Sequence, residues 1–259
     1  MQVCYFASDF HLGAPTKEQS KARELSIIRW LDHAATDATD IYLVGDVFDF
    51  WFEYAAVIPK GFSRFFGKLA ELSDRGIQLH FFYGNHDMWV KDYFSEEFGM
   101  KIYANPIELS LYGKRIYLGH GDGLGPGDRG YKLIKLFLRS TLCQWAFARI
   151  HPNFGIGLAR FFSGKSREGT EHEHQFLGIE KEWLYQFAET KQQTDPHDYY
   201  IFGHRHLPFA LPINKGTYYN LGEWITYQTF LKIDSDLPRY YQWDGHQAIS
   251  YDPPYGIAE

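Results

Sequence analysis

Short apolar segments alternate with helix-like segments in the first third of the chain. Val3 to Ser8, Ile41 to Val44 and Gln78 to Tyr83 are apolar runs of the length typical of buried strands. Between them, Lys17 to Thr36 and Phe62 to Arg75 repeat apolar positions at helical spacing. The pattern predicts a β-α-β-α-β unit, whose strands end at one edge of a sheet.

The second half of the chain is richer in predicted strands. Tyr112-Gly113 separates two apolar runs as a hairpin turn would, and Gln175 to Lys191 has the pattern of a helix. The further predicted strands are Ile107 to Leu111, Lys114 to Leu118, Tyr199 to Phe202, Phe209 to Leu211, Tyr218 to Leu221, Thr229 to Ile233 and Arg239 to Trp243. We therefore expect a layered α/β fold that forms one catalytic domain over residues 1–259.

Five predicted strands end in short blocks of polar, glycine-containing sequence. The blocks are Asp9-Phe10-His11, Gly45-Asp46, Gly84-Asn85-His86-Asp87, Gly119-His120-Gly121-Asp122 and Gly203-His204-Arg205-His206. Each block alone is weak, since Gly-Asp usually marks a turn and a single buried histidine is usually a core residue. Because strand ends in open α/β sheets gather around ligands, we expect the five blocks to converge on one site.

Together the blocks offer seven candidate oxygen and nitrogen ligands, namely Asp9, His11, Asp46, Asn85, His120, His204 and His206. Carboxylate, amide and imidazole groups suit manganese, iron or zinc, and the absence of thiolates disfavours a structural zinc site. We expect the glycines at positions 45, 84, 119 and 203 to supply the unusual backbone angles that turn each ligand away from its strand.

The five blocks resemble those of the calcineurin-like metallophosphoesterases, over residues 9 to 206. The resemblance implies two mixed sheets flanked by helices and two divalent metal ions. One ion would be held by Asp9, His11, Asp46 and His206, and the other by Asp46, Asn85, His120 and His204. Such a pair of ions activates water and neutralises charge on the phosphoryl oxygens. His86 is then the candidate general acid or electrostatic stabiliser, and Asp87 either orients its ring or caps the loop.

The segment between the fourth and fifth blocks has an unusual composition. Residues 131–167 contain seven Lys or Arg and no Asp or Glu, although the whole chain has a net charge of -6. The segment is also rich in large apolar residues, and Pro152 and Gly155 predict a break between two helices. We expect an inserted helical lid over residues 126–168, which suits an anionic bilayer or a phosphate-bearing lipid; a packing or dimerisation element is the alternative.

The position of this insertion resembles one branch of the superfamily, the UDP-2,3-diacylglucosamine hydrolases of lipid A biosynthesis. That resemblance implies hydrolysis of the substrate pyrophosphate to UMP and 2,3-diacylglucosamine 1-phosphate, with manganese as the metal. The implied substrate contacts are Asn85, Asp128, Tyr131, Lys165, Ser166 and Arg167. The best-known members carry Arg where this chain has His86. Another nucleotide or lipid-linked phosphoester therefore stays open as the substrate, and a non-catalytic metal-binding scaffold is the third hypothesis.

Composition also bears on location and partners. Cys4 and Cys143 are the two cysteines, which is too few for a disulfide framework and fits a reducing cytoplasm. Neither a secretion signal nor an apolar run long enough to cross a bilayer is evident, so we expect a cytoplasmic protein, with peripheral contact to the inner membrane left open. The negative net charge disfavours nucleic acid as a partner, and the expected partner is a lipid-linked nucleotide sugar.

Overall fold

Two mixed β-sheets form the core of the computed structural model, which describes residues 2–126, 129–159, 175–235 and 237–254. In chain order the strands are β1 (Cys4–Ala7), β2 (Asp40–Leu43), β3 (Gln78–Phe82), β4 (Lys101–Tyr103), β5 (Ile107–Leu111), β6 (Lys114–Gly119), β7 (Tyr199–Phe202), β8 (Pro208–Ile213), β9 (Gly216–Leu221), β10 (Thr229–Ile233), β11 (Arg239–Trp243) and β12 (Ala248–Ser250). One sheet has the order β12-β11-β10-β1-β2-β3-β4, and the other has the order β5-β6-β7-β9-β8. The layered α/β class predicted from the sequence is confirmed.

Parallel pairing brings the ends of the ligand-bearing strands together. In the first sheet β1, β2, β3 and β4 run parallel, while β10 joins β1 in antiparallel pairing. In the second sheet β6, β7 and β9 run parallel. Apolar residues such as Phe6, Leu118 and Ile201 are buried between the sheets. The predicted Tyr112-Gly113 hairpin is also present, because both residues hold the positive φ angles, 53° and 76°, that a tight two-residue turn requires.

Helices cover the outer faces of both sheets. In chain order they are α1 (Lys17–Ala34), α2 (Ser63–Asp74), α3 (Tyr93–Phe98), α4 (Arg129–Leu138), α5 (Thr141–Phe147), α6 (residues 152–159) and α7 (Trp183–Thr194). Trp30, Phe65 and Phe94 of α1 to α3 are buried against the seven-stranded sheet. Leu184 and Ala188 of α7 are buried against the five-stranded sheet. Burial of these apolar side chains is the main stabilising contribution.

The predicted helix from Gln175 to Lys191 is wrong at its N-terminal end. A short 3-10 turn covers Ile179–Lys181, and the α-helix begins only at Trp183. Gly178 has a φ of 98° and Glu182 has an extended backbone, so neither residue can continue a helix. The short elements α3, β4 and β12 were not predicted, because three to six residues give too little periodicity to recognise.

The predicted two-helix insertion is also corrected. Three helices, α4 to α6, occupy its described part, and Gly155 lies inside α6 rather than at a break. Pro152 begins α6, where its missing N–H costs no helical hydrogen bond. A Cβ atom at position 155 would lie 2.9 Å from the Tyr54 hydroxyl and 3.2 Å from the Phe147 ring. Glycine at this position therefore allows α6 to approach its neighbours closely.

Candidate metal centre

Five of the seven candidate metal ligands hold strained backbone conformations. Asp9, His11, Asp46, His204 and His206 have φ angles of 57°, 43°, 51°, 69° and 57°, in the left-handed region that L-residues rarely adopt. We expected neighbouring glycines to supply such angles. Of those four glycines, only Gly45 has a positive φ. The candidate ligands themselves make the sharp turns at the strand ends.

Gly84, Gly119 and Gly203 do not have positive φ angles. Glycine is needed at these positions because neighbouring atoms lie too close for a side chain. A Cβ atom at Gly84 would overlap the Asp46 carboxylate, and one at Gly203 would lie 2.6 Å from Asp9 Oδ2. One at Gly119 would lie 2.9 Å from the side chain of Pro106. Because no side chain fits at these points, the loops can pack against each other and bring the carboxylates into the interior.

The first group of candidate ligands comprises Asp9, His11, Asp46 and His206. Their donor atoms all lie within 4.8 Å of one another. His206 Nε2 lies 3.1 Å from Asp9 Oδ1 and 3.1 Å from His11 Nε2. Bonds of about 2.0–2.2 Å to a common ion place adjacent donors roughly 3 Å apart. The spacing therefore fits one cation held among these atoms.

The second group lies on the other side of Asp46. His120 Nε2 is 3.4 Å from Asp46 Oδ2 and 3.3 Å from Asn85 Oδ1. His204 offers a nitrogen within 4.8 Å of the Asp46 and His120 donor atoms. The Nδ1–H of His120 donates to the carbonyl of Val44 at 2.8 Å, which leaves Nε2 as the nitrogen facing the carboxylate.

Asp46 is the residue shared by both groups. Its Oδ1 accepts a hydrogen bond from the His86 backbone N–H at 2.8 Å. Its Oδ2 is buried and has no hydrogen-bond partner among the described residues, and it lies 3.4 Å from His120 Nε2 and 3.9 Å from His11 Nε2. A buried carboxylate charge is costly unless a cation lies beside it, which is the His120 ring in the metal-free protein and would be a metal ion in the loaded protein. The donor set thus fits two cations that share Asp46.

The electrostatics of the cluster favour ionised carboxylates. Burial opposes the charge on Asp46, but His120 and His86 hold its pKa well below the usual range, and His206 lowers the pKa of Asp9 in the same way. Burial lowers the pKa of His11 well below its ordinary value and, with the charge of His120, lowers that of His204 to about 4. These two imidazoles are neutral at pH 7 and have a free lone pair.

The pKa values of His120 and His206 are raised, in contrast to those of His11 and His204. Burial lowers the pKa of both rings, but Asp46 outweighs it at His120 and raises that pKa to about 10. Asp9 likewise raises the pKa of His206 above its ordinary value. Metal binding requires neutral imidazole, so a cation must displace at least the His120 proton.

His86 and Asp87 make different contacts. The half-buried His86 ring places Nδ1 3.0 Å from the backbone carbonyl of Asp49. The buried Asp87 carboxylate accepts backbone N–H groups from Asp46, Val47, Phe48 and Gly84, at 3.3, 2.8, 3.2 and 2.8 Å. Asp87 therefore fastens the loop after β2 to the loop after β3, in agreement with the loop-capping alternative. A catalytic role for Asp87 stays a prediction.

Sequence reasoning missed several residues that support these loops. The Arg23 guanidinium donates to the carbonyls of Phe10 and His11 at 2.7 and 2.6 Å. Asp49 Oδ1 lies 3.8 Å from His11 Nδ1. The Asn220 amide donates to the Gly203 carbonyl. Asp49 could have been recognised as a candidate because it follows Asp46 by three residues. Arg23 and Asn220 lie in elements that contain none of the five blocks, so no sequence motif marks them.

The predicted substrate-binding residues are only partly described. Asn85 lies beside His120 in the centre, and the backbone of Tyr131 lies in α4. Asp128, Lys165, Ser166 and Arg167 lie outside the described residues. Their assignments stay predictions.

Helix α4 contacts the loops next to the metal centre through its basic side. Lys132 Nζ donates to the Gly125 carbonyl at 2.6 Å, and Lys135 Nζ lies 2.5 Å from Asp122 Oδ2. The Arg139 guanidinium lies over the Tyr83 ring, at 5.8 Å from its centroid. The three cations share one side of α4, and that side faces the catalytic domain.

The opposite side of α4 is apolar and exposed. Leu133, Leu136 and Phe137 are 68%, 72% and 65% exposed. Other exposed apolar residues of the insertion are Ile134, Leu142, Trp145 and Phe154. Contiguous exposed apolar surface of this kind marks an interaction site. Within the described residues, no helix combines the length and apolar character needed to cross a bilayer.

Comparison with known proteins agrees with this geometry. The model of the calcineurin-like phosphoesterase family matches residues 4–208, and the chain belongs to this family. It is a metal-dependent hydrolase by that membership and by its relatives.

Two of its relatives carry a more specific name than that of the family. The chain is 38% identical over 244 residues to the UDP-2,3-diacylglucosamine hydrolase of Porphyromonas gingivalis, which covers 89% of this chain and 93% of that protein. It is 30% identical over 205 residues to the protein of the same name from Aeromonas hydrophila, covering 78% of this chain and 81% of that protein. Among solved structures, Yfce, a phosphoesterase from E. coli, matches 96% of this chain and 97% of that chain with a TM-score of 0.48 and 16% identity.

Proposed function

We propose that the protein hydrolyses the pyrophosphate of UDP-2,3-diacylglucosamine to UMP and 2,3-diacylglucosamine 1-phosphate. The observation that carries the chemistry is the buried Asp46 Oδ2, which lies 3.9 Å from His11 Nε2 and 3.4 Å from His120 Nε2 at the junction of two donor groups. The substrate is supported by the two relatives of that name, which match over most of the chain.

Two divalent cations would be held by the predicted ligands, with Asp9, His11, Asp46 and His206 in one group and Asp46, Asn85, His120 and His204 in the other. When bound, they supply charge neutralisation at the phosphoryl oxygens and activation of water. The mixture of carboxylate, amide and imidazole donors, without thiolate, suits manganese, iron or zinc, and manganese is proposed because the resemblance to the UDP-2,3-diacylglucosamine hydrolases implies it.

His86 is the proposed proton donor to the leaving group. Donation of its Nδ1–H to the Asp49 carbonyl fixes the ring, so Nε2 is the nitrogen that can hold and transfer a proton. Asp87 is proposed as a positioning residue, because its carboxylate holds the backbone that carries both Asp46 and His86. Neither role requires the forked phosphate contact of an arginine.

The helical insertion is proposed as the lid that receives the acyl chains, with contact to an anionic bilayer surface. Its apolar side is exposed, whereas Phe147 packs in an aromatic cluster with Phe50, Phe52 and Trp89 near the loop of His86. An apolar surface next to a charged centre suits a substrate with both acyl chains and a pyrophosphate.

Product analysis in ¹⁸O-labelled water tests this function. The manganese-loaded protein is incubated with UDP-2,3-diacylglucosamine, and the products are examined by mass spectrometry. We expect UMP that contains one ¹⁸O atom and unlabelled 2,3-diacylglucosamine 1-phosphate, because water attacks the phosphorus that carries the uridine. Asp46→Asn serves as the blank. Cleavage of a generic phosphodiester without UMP release would retain the metal chemistry and reject this substrate.

A further inference from the structure

A cavity of about 110 Å³ adjoins the metal centre. The ends of β3 and β4 and the loop of residues 121–124 form its walls, and α4 contributes Lys135 and Arg139. The candidate ligand His120 also lines it. The cavity therefore borders the second donor group at His120.

The two cations of the cavity differ in their partners. Lys135 is neutralised, since its Nζ lies 2.5 Å from Asp122 Oδ2 and also donates to the Asp122 carbonyl at 2.7 Å. Arg139 rests on the Tyr83 ring, and its Nε is buried without a hydrogen-bond partner among the described residues. A buried charged donor that lacks an acceptor is uncommon in folded proteins, and it marks the place where a ligand oxygen binds.

The cavity is separated from the apolar surface of the insertion. Tyr83 lines the cavity and also packs against the aromatic cluster that contains Phe52, Trp89 and Phe147. The apolar side of this boundary suits acyl chains. The cavity on the other side of Tyr83 offers a cation, the Tyr83 ring and the exposed amide of Asn105. An amide can both donate to and accept from the imide edge of a pyrimidine.

We propose that this cavity receives the pyrimidine base of the nucleoside monophosphate half of the substrate, the part that a space of about 110 Å³ can hold, with Arg139 Nε–H donating to an oxygen of the base. The proposal rests on the proposed function, because only a nucleotide-linked substrate has such a half. The phosphorus that water attacks then lies at the metal centre, with the pyrimidine base in the cavity and the lipid-bearing leaving group on the apolar side of Tyr83.

Isothermal titration calorimetry with UMP and, separately, with inorganic phosphate tests this assignment on the manganese-loaded protein. We expect Arg139→Ala to weaken UMP binding by about tenfold or more, which is typical for the loss of a charged hydrogen bond. Phosphate binding should change less than twofold, since the phosphate stays at the metal centre. The matched control is Arg149→Ala, an exposed arginine of the same insertion that stacks on Trp145 at 5.0 Å. It should leave both affinities unchanged.

A second variant keeps the test decisive if Arg139→Ala does not fold. Asn105→Ala alters an exposed residue of the cavity, and it should weaken UMP binding without weakening phosphate binding. Unchanged UMP affinity in the variants, equal losses for UMP and phosphate, or no UMP binding by the unaltered protein would each overturn the proposal. Failure of the proposed function appears separately, as an absence of UMP release from UDP-2,3-diacylglucosamine by the unaltered protein.

Discussion

Five of the candidate ligands have backbone conformations that cost on the order of 1–3 kcal/mol each. The surrounding loops must stabilise them, and the described contacts show how. Asp87 accepts four backbone N–H groups across two loops, and Arg23 donates to the carbonyls of Phe10 and His11. The donor atoms are thereby held in place before a cation binds, which reduces the cost of ordering them.

Replacement of His86 separates proton transfer from metal binding. We expect His86→Ala to lower kcat by about 10²–10⁴, because a positioned acid contributes roughly that factor. Metal content should be unchanged, since His86 is not among the predicted ligands. Steady-state kinetics and metal analysis check both statements, with the exposed His246→Ala as control. A variant that loses metal, or that retains full kcat, would contradict the assignment.

Proton release on metal binding follows from the titration of His120. In the metal-free protein Asp46 raises the His120 pKa to about 10, so the ring is protonated at neutral pH. A cation needs the neutral ring, and metal affinity must therefore fall as the pH is lowered. Calorimetric titration with Mn²⁺ at one neutral pH, in two buffers of different ionisation enthalpy, should report release of about one proton or more. Binding without proton release would contradict a protonated His120 in the metal-free protein.

Much of the site could be predicted from the sequence, since its candidate ligands stand in five short blocks at strand ends. The sequence did not reveal that the ligands themselves make the sharp turns at the strand ends. Gly84 and Gly203 are required because Asp46 and Asp9 pack against them, and this contact joins residues that are far apart in the chain. Arg23 and Asn220 were missed for the same reason.

At the scale of elements, one buried ion pair joins α7 to the last ligand loop. Arg205, between His204 and His206, donates through Nε and Nη2 to both Glu182 oxygens, at 2.8 and 2.6 Å. Both side chains are buried, and Glu182 immediately precedes α7. Removal of one partner leaves an unpaired buried charge, so we expect Glu182→Ala to lower the free energy of unfolding by about 3–5 kcal/mol.

Urea unfolding of the metal-free protein measures this loss. The exposed Glu189→Ala in the same helix should change stability by less than about 0.5 kcal/mol. The double replacement Glu182→Leu with Arg205→Met should recover a large part of the loss, because neither charge is then buried. An unaffected Glu182→Ala variant would show that the pair does not fasten the loop.

The length of an element decided how well its pattern predicted it. The strands Tyr199–Phe202, Thr229–Ile233 and Arg239–Trp243 have the predicted bounds, because their apolar runs are bounded by polar or glycine residues. The helix before β7 was predicted to begin eight residues too early, since helical spacing of apolar residues does not reveal the non-helical angles of Gly178 and Glu182.

For the whole molecule, the insertion presents its apolar side outward and its basic side to the catalytic domain. The sequence predicted a basic and apolar helical segment, but periodicity cannot tell which side of such a helix packs against the protein. The contacts with Gly125, Asp122 and Tyr83 decide this.

Membrane contact by the insertion is tested with vesicles that contain phosphatidylglycerol. Each exposed leucine contributes about 1.5–3 kcal/mol when buried in lipid, so replacing Leu133 and Leu136 by Ser should weaken binding at least about tenfold. Ile249→Ser, an exposed apolar residue on β12, is the control. Vesicle sedimentation gives the bound fraction. Equal binding by the insertion variant and the unaltered protein would reject membrane contact through α4.

The most direct test of the two-cation centre is UMP release from UDP-2,3-diacylglucosamine while the metal-free protein is titrated with Mn²⁺. The rate should rise until two equivalents of metal per chain are bound, because Asp46 joins two donor groups. The Asp46→Asn variant should show no such rise. Full activity at one equivalent, or in the metal-free protein, would contradict the account.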